Sequence, residues 1–232
     1  MVDRVLEWML RSFSGPRLKP YLSAAEGDPE VAMRLYWWNV EASAALYVPM
    51  HCVELAVRNA LHDSLAVKYG RPDWWTVAPL NQGGKDLVDK ARAKCQRDEQ
   101  RRAAEQNRRM RPVMVDDIVT ELSFGFWEKL LASRYDRVFW VPTLHKAFPY
   151  YTGRRDVLHQ DLRVLVRLRN RVGHHEPIHL EKDLYGDHAR IYRVLEALSA
   201  ELAKGVRERD RFLALLDGKD DALRGGGRQE AL

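Results

Sequence analysis

The chain of 232 residues contains little cysteine, no long apolar run and no pattern of alternating apolar residues. Its two cysteines, Cys52 and Cys95, lie far apart and form no CxxC pair, so neither a disulfide framework nor a cysteine zinc site is expected. No run of about 18 or more apolar residues is present, as a transmembrane helix would require. The first ten residues carry three charged side chains instead of the basic and then apolar order of a signal peptide. These absences predict a soluble, cytoplasmic protein without a membrane partner.

The apolar residues that are present recur at helical spacing. They return every three to four residues over several long stretches, whereas no stretch has the two-residue period of a half-buried strand. Hydrophobic residues make up 46% of the chain, which allows a substantial core. The sequence therefore predicts an all-α helical bundle with little or no β structure. It also predicts a single domain over residues 1–210 and a flexible tail over residues 218–232.

Capping residues, prolines and glycines predict where the helices begin and end. Asp28 followed by Pro29 is typical of a helix start, and Gly70 of a helix end. Between them, Pro49 is expected to end or kink the helix. Apolar spacing predicts further helices at about residues 115–132, 157–172, 187–204 and 211–216, with a short one at 143–147.

Basic side chains are concentrated in one segment, residues 85–111. Ten basic and five acidic residues there give an excess of five, which equals the net charge of +5 of the whole chain. A basic protein favours an anionic partner. Because the segment has hardly any apolar stripe, it is expected to be a helical or mobile insertion in contact with solvent. A charge run is usually only a solvated surface, but this one supplies candidate RNA-binding residues: Arg97, Arg101, Arg102, Arg108 and Arg109.

The segment with the most chemical information is residues 169–177, with the sequence RNRVGHHEP. Arg169 and Asn170 stand five and four residues before His174, and Gly173 is expected to stop the helix just before the histidines. A guanidinium carries a fixed charge and a donor fork suited to phosphate, while an imidazole exchanges protons near neutral pH. This spacing predicts a phosphodiester-cleaving site without a metal or other cofactor.

In the predicted reaction, a ribose 2′-hydroxyl attacks the adjacent phosphorus. His174 transfers a proton, and Arg169 stabilises the extra charge on the phosphoryl oxygens. DNA lacks the 2′-hydroxyl, so the predicted substrate is RNA. One histidine cannot act as acid and base at the same instant, so a second copy of the site in a symmetric dimer, or His175, supplies the other role. The supporting residues are Asn170, His175 and Glu176.

Two other interpretations of this segment compete with a catalytic site. Arg169 and Asn170 can simply cap and anchor the helix C-terminus, where a cation is favoured. Residues 175–179 also match the HExxH pattern of zinc metalloproteases. That pattern needs a continuous helix, and Pro177 disfavours helical backbone at Glu176, so a metal site is not expected.

A weaker version of the motif occurs earlier in the chain. Arg58 and Asn59 precede His62, but in the middle of a predicted helix and without a glycine. This setting favours core or interhelical polar contacts over chemistry. A role beside the active site is a secondary expectation for Arg58 and Asn59.

Residues 168–178 (LRNRVGHHEPI) are similar to the abortive-infection (Abi-like) proteins of bacteria, a branch of the HEPN superfamily. Residues 36–39 (YWWN), 54–61 (ELAVRNAL) and 121–131 (ELSFGFWEKLL) add to the resemblance, which spans most of residues 15–205. It implies an all-α HEPN fold, a homodimer that builds a composite cleft, and metal-independent endoribonuclease activity. That activity would serve phage defence or a toxin held in check by a protein or RNA antitoxin. The alternative function is a non-catalytic RNA-binding or regulatory protein.

Overall fold

In the computed structural model, which describes the backbone of residues 2–224 and the side chains of residues 7–224, every regular element is a helix. No strand occurs within these limits, so the all-α prediction is confirmed. The α-helices are α1 (Val2–Phe13), α2 (Gly15–Ala24), α3 (Pro29–Tyr69), α4 (Gln82–Glu105), α5 (Val115–Glu121), α6 (Phe124–Lys129), α7 (Arg155–Gly173), α8 (Leu184–Leu198), α9 (Ala200–Arg207), α10 (Phe212–Asp217) and α11 (Lys219–Arg224). The predicted short helix near residue 145 is a 3-10 helix, Leu144–Ala147.

The chain divides into two compact units, and each is assembled from separate segments of sequence. Among the described residues, the first unit comprises 2–50, 168–186 and 206–224, and the second comprises 51–167 and 187–205. The helices α3 and α7 contribute residues to both units. The prediction of one domain over residues 1–210 stays a prediction.

The longest helix, α3, begins and ends as its capping residues predict. The Asp28 carboxylate accepts hydrogen bonds from the backbone N–H groups of Glu30 and Val31 at 2.8 and 3.1 Å. At the other end, Gly70 adopts a positive φ of 66°, a conformation that glycine tolerates best. Pro49 does not end the helix, which continues from Pro29 to Tyr69. A proline in a helix interior costs about 3 kcal/mol, and burial of the apolar face of α3 offsets this cost.

Length and composition alone would also allow α3 to cross a membrane. One such helix is weak evidence, because the core helix of a soluble protein passes the same test. Several α3 side chains are fully buried, including Leu46, Val53 and Leu61. The cytoplasmic location stays a prediction.

Two stretches predicted as single helices are each divided at a serine. The stretch at 115–132 forms α5 and α6, and Ser123 between them has an extended backbone with φ −67° and ψ 157°. The stretch at 187–204 forms α8 and α9, where the Ser199 hydroxyl accepts a hydrogen bond from the Leu202 N–H at 3.1 Å. Serine competes with the helix for backbone hydrogen bonds and favours the position before a helix. Because the apolar repeat continues past each serine, the sequence predicts one long helix at each place where two shorter helices form.

Within the tail that is expected to be flexible, residues 219–224 form the helix α11. The Arg34 side chain donates a hydrogen bond to the carbonyl oxygen of Leu223 at 2.8 Å. The Lys219 ammonium lies 4.8 Å from the centre of the Trp38 ring. These long-range contacts within the first unit stabilise α11, a helix that the local sequence does not predict. Residues 225–232 of the predicted tail lie outside the described residues.

Candidate active site at the C-terminal end of α7

The last turn of α7 ends in a Schellman motif. The N–H of Glu176 donates to the Arg171 carbonyl at 2.8 Å, and the N–H of His175 donates to the Val172 carbonyl at 3.1 Å. This pairing places His175 in the left-handed conformation, with a φ of 57°. The helix ends at Gly173, just before the histidines, as the sequence predicts, but the left-handed residue of the cap is His175 and not Gly173. Sequence reasoning assigned the stop to Gly173 because glycine is the usual residue in a left-handed cap.

We expect His175→Gly to stabilise the protein, because a left-handed conformation costs a residue with a Cβ about 1–2 kcal/mol and glycine much less. Glycine also makes the unfolded chain more flexible, so the net gain in the free energy of unfolding should be about 0.5–1 kcal/mol. Urea denaturation of the full chain measures it. Gly173→Ala is the matched variant: its added Cβ would meet only the Arg169 guanidinium at 3.7 Å, so it should not destabilise. A loss of stability in His175→Gly would contradict the left-handed assignment.

The motif residues lie together at this helix end. Arg169, Asn170 and His174 are all exposed, and the Arg169 Nη1 lies 3.7 Å from where a Cβ on Gly173 would stand. The guanidinium therefore extends along the helix toward the histidines. The His174 N–H donates to the Asn170 carbonyl at 2.9 Å, which fixes the backbone at His174. An exposed cation and an exposed imidazole thus share one end of α7.

Glu176 and His175, the other supporting residues, lie on the turn that follows. The Glu176 carboxylate lies 3.9 Å from Arg171 Nη1, which offsets part of its charge. The His175 carbonyl accepts a hydrogen bond from Arg17 Nη1 at 2.6 Å. Arg17 belongs to α2 and is a second guanidinium beside the motif. Sequence reasoning missed it because it lies 158 residues away in the chain.

Buried polar contacts hold the loop after the motif. The side-chain oxygen of Asn39, a residue only 4% exposed, accepts hydrogen bonds from the N–H groups of Ile178 and His179 at 2.8 and 3.2 Å. Arg171 Nη1 donates to the Pro177 carbonyl at 3.2 Å. These bonds fix the backbone beyond His175. In the sequence, Asn39 is a polar residue among apolar neighbours on α3, and it belongs to the YWWN segment of the family resemblance.

His179 is separated from His175 by non-helical backbone, as Pro177 predicts. The continuous helix that the HExxH pattern requires does not form, because α7 ends before His175. The His179 ring lies 4.8 Å from the Tyr21 ring, centre to centre. Burial, with help from the Lys219 and Arg171 charges, lowers the pKa of His179 to about 4. His179 is therefore a neutral, half-buried residue at physiological pH.

A groove of about 880 Å³ opens beside the helix end, entirely within the first unit. Val172, Gly173 and His175 line one side of it, and Arg17 stands at the same side. The remaining wall is mostly apolar and aromatic and comes from α1, α2 and α3. Its residues are Ser12, Phe13, Tyr21, Tyr36, Asn39, Val40, Ser43, Ala44 and Tyr47.

The weaker motif in α3 has local partners. Arg58 Nε donates to the Asn59 side-chain oxygen at 3.2 Å. The His62 Nδ1 accepts a hydrogen bond from the indole of Trp74 at 3.2 Å, and burial lowers the pKa of His62. These contacts agree with the interpretation as core and polar support. All of these residues lie in the second unit, and an auxiliary role for Arg58 and Asn59 stays a prediction.

The basic segment is the helix α4 followed by a short extended stretch, and it does have a buried face. Val88, Ala91, Glu99 and Ala103 are buried along α4, at spacings of three to four residues or twice that. The segment is therefore largely helical, one of the two forms expected from the sequence, but it is not in contact with solvent on every side. Sequence reasoning missed the stripe because Glu99, a charged residue, occupies one of its positions.

Glu99 binds two of the arginines that follow α4. Arg108 donates to its carboxylate at 2.6 and 3.2 Å, and the backbone N–H of Arg111 donates at 2.8 Å. The Arg111 side chain in turn pairs with Asp117 at 2.7 and 2.8 Å. Arg108 is thus engaged in the fold. By contrast, the side chains of Arg97, Arg102 and Arg109 are exposed and have no hydrogen bond or ion pair within residues 7–224. Arg101 lies on α4 near Asp98 and Glu105, at 3.5 and 3.9 Å.

We expect acid to loosen this arginine and carboxylate cluster. Hydrogen bonds from Arg108, and then from the Arg111 backbone, lower the pKa of Glu99 to about 2. The Arg111 side chain and the Met114 backbone do the same for the pKa of Asp117. A carboxyl group whose pKa is lower in the folded state stabilises the fold fully above its unfolded pKa, and that stabilisation disappears as the pH falls toward the folded value.

The melting temperature should therefore fall between about pH 5 and pH 2. The melting temperature of Glu99→Gln should be lower than that of the wild type at neutral pH. It should also depend less on pH over this range. Equal pH dependence in the two proteins would contradict the role of Glu99. Asp89→Asn, which alters an exposed carboxylate on α4, is the matched control and should behave like the wild type.

Comparison of the chain with protein-family models, with curated proteins and with solved structures finds no match. The function must therefore be inferred from the chemistry of the residues themselves.

Proposed function

We propose that this protein is a metal-independent endoribonuclease of the HEPN type that acts as a toxin or as an abortive-infection effector in phage defence. The observation that supports this proposal best is the joint exposure of Arg169 and His174 at one end of α7. A guanidinium directed along the helix toward a neighbouring imidazole can bind a phosphate that the imidazole also reaches.

The proposed reaction conserves its atoms without a metal ion. The 2′-oxygen of one nucleotide forms a bond to phosphorus and loses its proton to a base, and the bond from phosphorus to the 5′-oxygen breaks as that oxygen gains a proton. Arg169 stabilises the added negative charge on the non-bridging oxygens. The products are a 2′,3′-cyclic phosphate and a 5′-hydroxyl. His174 carries one of the two proton transfers, and Asn170 lies beside it as a polar contact.

The second proton transfer needs another group, and we propose that a homodimer supplies it through a second copy of the site. His175 is the alternative, since it follows His174 directly and lines the groove. The variant His175→Gly distinguishes a second copy of the site from His175 as the source of the second proton transfer. Retained cleavage favours the twin site, and lost cleavage with a stable fold favours His175. A protein or RNA antitoxin remains a proposed partner of the dimer.

A second candidate function is RNA binding without cleavage. The exposed side chains of Arg97 and Arg109, which have no hydrogen bond or ion pair within residues 7–224, favour it, because such cations are available to phosphate. In this case the α7 motif would serve only to anchor a helix end. Binding would weaken steeply with salt, and no product would form.

End-group analysis of RNA incubated with the protein in EDTA tests the proposal. We expect fragments with a 2′,3′-cyclic phosphate and a 5′-hydroxyl, and no cleavage at a nucleotide whose 2′-hydroxyl is replaced by hydrogen. Cleavage that requires a divalent metal would contradict the mechanism. Salt-dependent binding without cleavage would favour the second candidate.

A further inference from the structure

A smaller cavity, of about 240 Å³, lies within the second unit and has two cations in its wall. It is formed by the residues at the start of α4, the end of α6 and the 3-10 helix Ser133–Tyr135. Its charged lining residues are Lys129 and Arg134, and no aspartate or glutamate of the described chain lines it. A concave surface that carries charge of one sign attracts a ligand of the opposite sign. The cavity therefore favours an anion.

Neither cation is neutralised by the protein. Lys129 and Arg134 are exposed, and neither has a hydrogen bond or ion pair with any residue that the structure describes. The carboxylates next to them in the chain have other partners. Glu128 lies 2.6 Å from the His159 imidazole, and Asp136 lies 2.9 Å from a guanidinium nitrogen at the start of α7. The two cations around the cavity are therefore available to a ligand.

The start of α4 adds a hydrogen-bond donor to the same cavity. The Asn81 side-chain oxygen accepts the Gly84 N–H at 3.0 Å and so caps the helix. The Gly83 N–H has no acceptor among the described residues. A Cβ on Gly83 would meet nothing within 4 Å, so packing does not require glycine at this position. Glycine lowers the stability of a helix relative to alanine, but it allows a ligand to approach the backbone closely.

The rest of the wall is apolar and firmly held. Leu80, Phe126 and Leu130 are each at least 95% buried. The Tyr135 hydroxyl donates to the Asn81 side-chain oxygen at 2.8 Å and accepts the Asn81 backbone N–H at 2.9 Å. The volume lies just below the range of most small-molecule sites, roughly 300–1,000 Å³. A matching ligand is compact, with an apolar part opposite its charged group.

The number of charges favours a phosphate monoester over a carboxylate. A phosphate monoester carries a charge of about −1.5 to −2 at neutral pH, which two cations balance. A single carboxylate would leave one of the two cations without a partner. The guanidinium of Arg134 can donate to two phosphate oxygens at once, and the ammonium of Lys129 acts as a point charge.

We propose that this cavity binds the phosphate group of a compact phosphate monoester between Lys129 and Arg134. The organic part of the ligand lies against the apolar wall that contains Leu80 and Phe126. The phosphate belongs either to a free small ester or to the terminal nucleotide of a nucleic acid. Binding here does not depend on the proposed ribonuclease activity, since neither Arg169 nor His174 lines the cavity.

Isothermal titration calorimetry of the full chain with small probes tests the proposal. We expect phenyl phosphate to bind more tightly than inorganic phosphate, which lacks an apolar part, and than benzoate, which carries one charge. A deoxydinucleotide with a 5′-phosphate, compared with the same molecule ending in a 5′-hydroxyl, distinguishes the two sources of the phosphate. Binding of phenyl phosphate alone assigns the site to a free ester. Binding of the 5′-phosphorylated dinucleotide alone assigns it to a nucleic-acid end.

Variants of the two cations test their roles. Lys129→Gln and Arg134→Gln should each weaken the binding of the preferred ester roughly tenfold, as expected for loss of one hydrogen bond to a charged group. The double variant should bind no measurable ester. Lys90→Gln and Arg137→Gln, at exposed positions that do not line the cavity, are the matched controls and should bind like the wild type. The ester should raise the melting temperature of the wild type but not that of the double variant.

Three outcomes would overturn the proposal. The first is that neither phenyl phosphate, nor inorganic phosphate, nor the phosphorylated dinucleotide binds to the wild type. The second is wild-type affinity in the folded double variant of Lys129 and Arg134. The third is an equal loss of affinity in Lys90→Gln and Arg137→Gln, which would show that the ester responds only to the net positive charge of the chain. Loss of binding in the folded double variant alone supports the site.

Discussion

Replacing Arg169 or His174 with alanine should lower the rate of RNA cleavage by about 100-fold or more. Loss of a general acid or base removes about 10²–10⁴ in rate, and loss of a group that stabilises transition-state charge removes about 10²–10³. Both side chains are exposed, so neither replacement creates a cavity in the core. The free energy of unfolding should stay within about 0.5 kcal/mol of the wild type.

Matched variants on exposed sites make this prediction specific. Arg163→Ala removes another exposed arginine of α7, and His145→Ala removes an exposed histidine of the second unit. Both should cleave RNA at the wild-type rate. The double variant of Arg169 and His174 should lose little more than either single variant, since residues that act in one step are not additive. A folded Arg169→Ala or His174→Ala protein with wild-type cleavage would reject the proposed site.

Replacing Asn39 with leucine should destabilise the protein by about 2–4 kcal/mol. The side-chain oxygen of Asn39 accepts the N–H groups of both Ile178 and His179, and leucine accepts neither. A buried donor left without a partner costs about 1–3 kcal/mol. Because Asn39 is buried, water replaces these bonds only if the loop moves outward. The position of the loop that follows His174 should then be lost, and cleavage should fall with it.

Chemical denaturation and amide hydrogen exchange measure the two parts of this prediction. The amides of Ile178 and His179 should exchange faster in Asn39→Leu than in the wild type. Asn170→Leu, at an exposed position on α7, should change the free energy of unfolding by no more than about 0.5 kcal/mol. Wild-type stability and unchanged exchange in Asn39→Leu would show that the side chain does not hold the loop.

Local features of the sequence were sufficient to predict much of the helical architecture. Asp28 and Gly70 act through bonds and torsions within a few residues, and the start and end of α3 follow from them. Ser123 and Ser199 also act locally, since each interrupts a helix. The apolar repeat continues on both sides of each serine, so the repeat alone does not predict the interruption. The helix α11 depends on a contact between Arg34 and Leu223, which are 189 residues apart, and short-range patterns cannot reveal such a contact.

The candidate site divides in the same way. Arg169 and His174 are five residues apart across one helix end, so their spacing alone predicts that they are neighbours. Arg17 and Asn39 reach the same loop across 158 and 139 residues, and only the folded chain brings them there. The preference of glycine for a left-handed conformation suggests Gly173 as the left-handed residue of the cap. The hydrogen bonds to the carbonyls of Arg171 and Val172 instead require that conformation two positions later, at His175.

The most direct test of the central claim is the cleavage rate of one end-labelled oligoribonucleotide in EDTA, measured for the wild type and for His174→Ala. We predict that the wild type produces a 2′,3′-cyclic phosphate end and that folded His174→Ala is slower by about 100-fold or more. Equal rates for the two proteins, or a wild-type protein that binds this RNA and leaves it intact, would contradict the claim.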